Sequence, residues 1–156
     1  MAIASSVTKY LKEHRVPYEV VSHTYTGSSM ETAEVAHVPG DRMAKSVVLE
    51  DDQGYVMAVL SASHRLDLGE LHRQLKRPLG LVTEQELSSL FQDCDIGAVP
   101  PVGPAYGMET VVDDSLAEQP DVYMEAGDHE QLIHLSGEDF ESLFEQGQCM
   151  HISRHW

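Results

Sequence analysis

Ile3, Val7 and Leu11 recur every fourth position, a spacing that predicts an amphipathic helix over residues 3–14, stopped ahead of Pro17. Residues 18–24 read as a strand. Residues 47–49 and 55–60 are apolar at successive positions and flank Asp51-Asp52-Gln53-Gly54. That pattern predicts a hairpin of two central strands, each covered on both faces. Further strands are expected at 109–112, 122–125 and 131–135. Three capping-box patterns mark helix starts: Ser28 with Glu31 for a short helix ending near His37, Asp67 with Glu70 ahead of Leu71 and Leu75, and Thr83 with Glu86 ahead of Leu87, Leu90 and Phe91. Ser136 caps a last helix that carries Phe140, Leu143 and Phe144 and stops at Gly147. Pro39-Gly40-Asp41 is a turn. Residues 92–108 hold glycine and proline clusters without periodicity, and so long a loop in a compact domain is usually functional or poorly ordered. An irregular tail is expected over 147–156. Helices and strands mix without βαβ alternation, so the fold class is α+β. We expect a single domain over residues 1–156, built as a curved mixed β-sheet with a barrel-like core and flanking helices.

Composition narrows the function classes. A chain of 156 residues with a 42% hydrophobic share can bury one ordinary core. No apolar run reaches the roughly 18 residues of a membrane helix, so a membrane partner is not expected. The first residues lack the basic start and apolar core of a signal peptide, which suggests a cytoplasmic protein. The formal charge of −16 argues against a broad basic face for gripping nucleic acid, and DNA is not an expected partner. Brief contact with one RNA end remains compatible with it. Cys94 and Cys149 are too few for a disulfide scaffold and lack metal-ligand spacing.

Two segments carry candidate chemistry. Lys45 stands in Met43-Ala44-Lys45-Ser46-Val47, at the mouth of an apolar run. A lysine there either lays its stem on apolar surface with its head in water, or brings a partly desolvated ammonium to a carbonyl or phosphate oxygen. The second segment is Gly97-Ala98-Val99-Pro100-Pro101-Val102-Gly103. It is either a plain turn or a rigid wall, since proline fixes φ and glycine lets a ligand approach the backbone. His64, with Ser61-Ala62-Ser63 before it, lines a pocket or belongs to a polar loop. His129 and His134 fall on adjoining strand positions with odd spacing. His151 and His155 would share a face on a helix beside Cys149, but irregular structure is expected there, so no metal site is assigned. Cys94 lies between Asp93 and Asp95, which oppose a thiolate.

Taken together, His23-Thr24-Tyr25, Lys45-Ser46, residues 97–103, Ala126-Gly127-Asp128-His129 and Ile133-His134-Leu135 resemble the YbaK/ProX-type aminoacyl-tRNA deacylases, relatives of the editing insertion in bacterial prolyl-tRNA synthetases. The resemblance runs over about residues 23–144. It implies trans-editing hydrolysis of the ester joining a small, wrong amino acid to the terminal ribose of a tRNA, with tRNA-Pro the usual carrier. By resemblance Lys45 is the essential lysine, and Gly97 and Pro101 end the G-x-x-x-P loop. Tyr25, Ser46, Ala98, Val99, Pro100, Gly103 and His129 fall at substrate-binding positions. No cofactor is implied. The expected partners are the acceptor end of an aminoacyl-tRNA and an aminoacyl-tRNA synthetase. The alternative is a binding module that holds an aminoacyl-like ligand without turnover and acts with a protein partner. The chain departs from the family in carrying Asp128-His129 where a basic residue is frequent, Leu132 where some members have a carboxylate, and Ser46 where threonine is common.

Overall fold

The computed structural model describes residues 4–24, 29–95, 98–144 and 148–155. Helix α1 (Ser5–Glu13) buries Val7 and Leu11, and the backbone N–H of Ala4 donates to Ala126 O at 2.7 Å. Strand β1 (Glu19–Ser22) and helix α2 (Ser29–Val35) follow, then a 3-10 turn at Gly40–Arg42 where the Pro-Gly-Asp turn was expected. The hairpin is β2 (Met43–Asp51) with β3 (Gly54–Ser61), paired in register from Ala44↔Ser61 to Asp51↔Gly54. Val56 and Ala58 pack into one hydrophobic cluster and Met57 and Val59 into another, so β3 is covered on both faces as its unbroken apolar run requires. Next come β4 (His64–Leu66), α3 (Leu68–Leu75), β5 (Gly80–Leu81), α4 (Glu84–Leu90), β6 (Glu109–Asp113), α5 (Asp114–Ala117), β7 (Asp121–Glu125), β8 (Gln131–Ser136), α6 (Gly137–Ser142), β9 (Gln148–Met150) and β10 (Ser153–His155).

The main sheet runs β1-β8-β7-β2-β3-β6-β9, with β5 added to β2. Pairs β2/β7, β3/β6 and β6/β9 are parallel and the others antiparallel, so the sheet is mixed and the class is α+β. Caps follow the sequence signals. Asp67 accepts from Glu70 N at 3.1 Å, Thr83 from Glu86 N at 3.2 Å and Ser136 from Asp139 N at 3.1 Å. The Ser28 cap and the Gly147 stop lie outside the described residues. Among the described residues no helix is long and apolar enough to cross a membrane.

The irregular tail expected at 147–156 is a correction. Strand β9 joins the sheet edge parallel to β6, and β10 pairs with β4. The cause is one buried anchor: Ile152 is fully buried, its N–H donates to Asp113 Oδ1 at 2.8 Å, and Asp67 N–H donates to its carbonyl at 2.7 Å. A few apolar residues (Cys149, Met150 and Ile152) among polar ones over so short a stretch give no clear strand signal, so the sequence did not show it.

Candidate functional site

The edge of β2 away from β3 has two different partners. Near its start it pairs with β7 (Met43↔Tyr123, Ala44↔Met124), and near its end with β5 (Leu49↔Leu81, Glu50↔Gly80). Beyond the β5 ladder, Val82 N–H still reaches Val48 O at 3.2 Å. The β7 ladder ends at Ala44 and the β5 ladder begins at Leu49, so β7 and β5 part between these positions and the sheet forks there. A cleft of about 220 Å³ opens in the fork, lined by Ser46, Val47, Val48, Leu81, Val82, Leu87 and Val99. Such gaps, where neighbouring strands part, are common ligand sites in sheets.

Side chains alternate along a strand, so Lys45 and Ser46 present to opposite faces at this gap. Ser46 lies on the face of Ala44 and Val48, both in the largest hydrophobic cluster. Its Oγ donates to Val99 O at 3.3 Å and ties the glycine-proline segment to β2. Lys45 lies on the face of Met43, which packs with Ala33, Val38 and Ala62. Its ammonium is half-buried, reaches 3.5 Å from Ala62 O in the β3–β4 turn, and has its pKa lowered by burial. A carbonyl or anionic oxygen arriving there would favour the charged form.

Within the loop expected to be functional or poorly ordered, residues 98–103 are buried throughout. Ala98 N–H bonds Asp95 O at 3.0 Å, and Asp95 N–H bonds Gly127 O at 2.8 Å, so the segment is strung between β2 and the β7–β8 turn. Pro100, Pro101 and Gly103 lie within it, and Gly103 opens a 3-10 turn, Gly103–Tyr106. A Cβ on Gly103 would collide with Thr110 Oγ1, so the segment's close passage over β6 requires glycine. Tyr25 and Gly97 lie outside the described residues.

The β7–β8 turn is also buried. Asp128 Oδ1 accepts from Glu130 N and Gln131 N, both at 2.9 Å, and fixes the reversal. His129 is 5% exposed with φ 62°, so it sits in the turn and not on a strand as the sequence suggested. His134 does lie on β8, bonded to Asp121 Oδ2 at 2.8 Å and stacked on Tyr123. His151 and His155 separate: His151 contacts Asp114 and His155 faces Asp41, and neither joins Cys149 in a cluster.

One residue of this region escaped the sequence reading. Glu125 is 2% exposed at the end of β7, at the position after Met124 and so next in register to Lys45, where the β2/β7 ladder stops. Thr32 Oγ1 of α2 donates to its Oε1 at 2.9 Å, and its Oε2 has no hydrogen-bond partner among the described residues. Burial pushes its carboxyl up to about 7, the Asp128 charge adds to that, and the Thr32 bond opposes it. An acidic residue closing an apolar strand was the available signal.

A family model described as the aminoacyl-tRNA editing domain matches residues 23–143. Among solved structures, the chain is similar to a proposed trans-editing enzyme for prolyl-tRNA synthetase, with 26% identity and a TM-score of 0.83 over 97% of this chain and 96% of that one. It also shares the fold of a hypothetical protein with 21% identity and a TM-score of 0.83, over 96% of this chain and all of that one. A third fold relative is a proposed signal-transduction protein from Marinobacter aquaeolei VT8, with 23% identity and a TM-score of 0.78. This chain is covered to 95% there and spans 30% of that protein's length. No curated protein matches the chain by sequence.

Proposed function

The chain belongs to the aminoacyl-tRNA editing domain family, and from that premise we propose that it is a trans-acting hydrolase that cleaves the ester between a small amino acid and the terminal ribose of a mischarged tRNA. We assign tRNA-Pro as the carrier and the cytoplasm as the place of action. The observation that carries the reading is the fork in the sheet. It sets a small cleft, lined by Ser46 and Val99, beside the strand position that holds a half-buried ammonium.

The chemistry asks little of the protein. An aminoacyl ester is already activated, so positioning and polarisation of its carbonyl can supply most of the acceleration. In this reading Lys45 orients the ribose end and stabilises the developing oxyanion. The attacking water is helped by the substrate's own ribose hydroxyl. The wall formed by Ala98, Val99, Pro100 and Pro101 frames the amino acid, and Gly97, Tyr25, Gly103 and His129 are assigned to substrate binding by the family resemblance. A wall of backbone and proline sorts by size. One methylene is worth only about 1–3 kcal/mol in such a pocket, so exclusion of the correct, bulkier amino acid does most of the work.

The acidic surface fits a restricted RNA contact. With 26 acidic against 10 basic residues, the chain is suited to the acceptor end and not to the body of a tRNA. A prolyl-tRNA synthetase acting alongside would supply the remaining grip. Purified protein is to be mixed with alanyl-, cysteinyl- and seryl-tRNA-Pro, with prolyl-tRNA-Pro as the control. Faster loss of at least one small amino acid than in buffer, with the prolyl ester spared, is the expected result. Saturable binding with no ester loss would replace the hydrolase with a binding module.

A further inference from the structure

The β4–β10 ladder creates a cluster that the deacylase reading does not use. His155 is the register partner of His64, and their rings meet edge to face with centroids 5.0 Å apart. Asp41, in the turn Gly40–Arg42, faces the pair, with its Oδ1 3.6 Å from His155 Nε2. One nitrogen from each imidazole and one carboxylate oxygen all lie within 4.8 Å of one another. A tetrahedral ion with bonds of about 2.1 Å spaces its ligand atoms about 3.4 Å apart. Small side-chain rotations therefore bring the three groups onto one centre.

The support behind these groups makes the cluster more than a chance meeting. Ser153 Oγ donates to the buried Asp113 carboxylate at 2.6 Å, which commits its only proton. The 2.9 Å contact between Ser153 Oγ and His64 Nδ1 must then run from the ring, with Nδ1–H as donor. That fixes the His64 tautomer and leaves the lone pair on Nε2. A histidine whose far nitrogen donates along a chain ending in a carboxylate is the usual arrangement behind a metal ligand. Asp41 is likewise held, its carboxylate by the Ser63 hydroxyl and its carbonyl by Ser61 Oγ at 2.9 Å.

We infer that Asp41, His64 and His155 form a binding site for a divalent transition-metal ion, with Zn²⁺ the preferred occupant. Two imidazoles and one carboxylate suit zinc, whereas calcium and magnesium favour all-oxygen shells. Three protein ligands leave a fourth position to water. Asp41 stands two residues ahead of β2, and the histidines belong to the separate two-stranded sheet, so the ion would clasp that sheet to the entrance of β2. The inference stands independently of the hydrolase reading.

The test uses the full chain without an affinity tag, titrated with Zn²⁺ alone by calorimetry and with Co²⁺ followed by its visible spectrum. One saturable ion per chain is expected, with a tetrahedral Co²⁺ spectrum and a melting temperature that rises with Zn²⁺. Ser153→Ala, which breaks the support to His64, weakens the affinity about 10–100-fold. His64→Gln and His155→Gln weaken it further. His151→Gln, at the separate group formed with Asp113 and Asp114, leaves it unchanged. His155 is exposed, so its variant folds and decides the matter even if His64→Gln does not. Absence of saturable binding, or binding that survives His155→Gln, overturns the site.

Discussion

Replacing Glu125 by glutamine tests the electrostatics of the fork directly. The folded protein lifts this carboxyl from its ordinary 4.5 to about 7, chiefly by burial. A raised pKa means that, between those two values, the folded state keeps a proton that the unfolded chain has released. Stability therefore falls as pH rises through the window, and the whole penalty is present above pH 7. At about 1.36 kcal/mol per pKa unit, the penalty grows by about 2–3 kcal/mol between about pH 5 and about pH 8. Glutamine keeps a carbonyl oxygen for Thr32 but does not titrate. It also places an amide NH₂ where Oε2 has no partner among the described residues, a cost that is the same at both pH values and cancels in their difference. Urea unfolding of both proteins at the two pH values gives that difference. Glu125→Gln should gain about 2–3 kcal/mol on the parent between pH 5 and pH 8. Parallel stability curves for the two proteins would show that the carboxyl is not held in a desolvated, proton-binding state.

Two further predictions follow from the same region. Gly127 has φ +120°, and a Cβ there would meet Cys94 Cβ at 2.9 Å and Ala4 Cβ at 3.2 Å. Gly127→Ala should cost about 1–3 kcal/mol from backbone strain alone, with steric displacement of α1 added, and a melt within experimental error of the parent would contradict this. Burial, with the charges of Asp93 and Asp95, pushes the Cys94 thiol up to about 12; burial and the charges of Asp114, Asp113 and Glu141 also raise Cys149, but Cys149 is exposed to the reagent. Iodoacetamide should therefore add one group to the native protein and two in urea, read by mass spectrometry, and native labelling of Cys94 as fast as Cys149 would refute the burial argument.

Much of the fold was legible because its signals are local. The apolar runs of β2 and β3 exceed what a half-buried strand allows, and each of Asp67, Thr83 and Ser136 stands three residues ahead of the N–H it caps. What stayed hidden depends on contacts distant in sequence. Strands β9 and β10 exist because Ile152 and Ser153 bond to Asp113, about forty residues earlier. Lys45 and Ser46 stood out in sequence, but the fork that separates their faces arises from β7 and β5 sharing one edge of β2. Glu125 reads as one more polar residue at a strand end until burial removes its water. His64 and His155 meet only through pairing across about ninety positions, which no spacing rule could reveal.

The central claim is that the half-buried ammonium at the fork drives loss of the aminoacyl ester. Its most direct test compares the parent and Lys45→Ala on alanyl-tRNA-Pro in a single-turnover deacylation assay, with unfolding curves confirming that both are folded. Removal of a charge that stabilises a developing oxyanion is expected to slow the step by about 10²–10³-fold, toward the rate in buffer. A variant that clears the ester as fast as the parent would contradict the account.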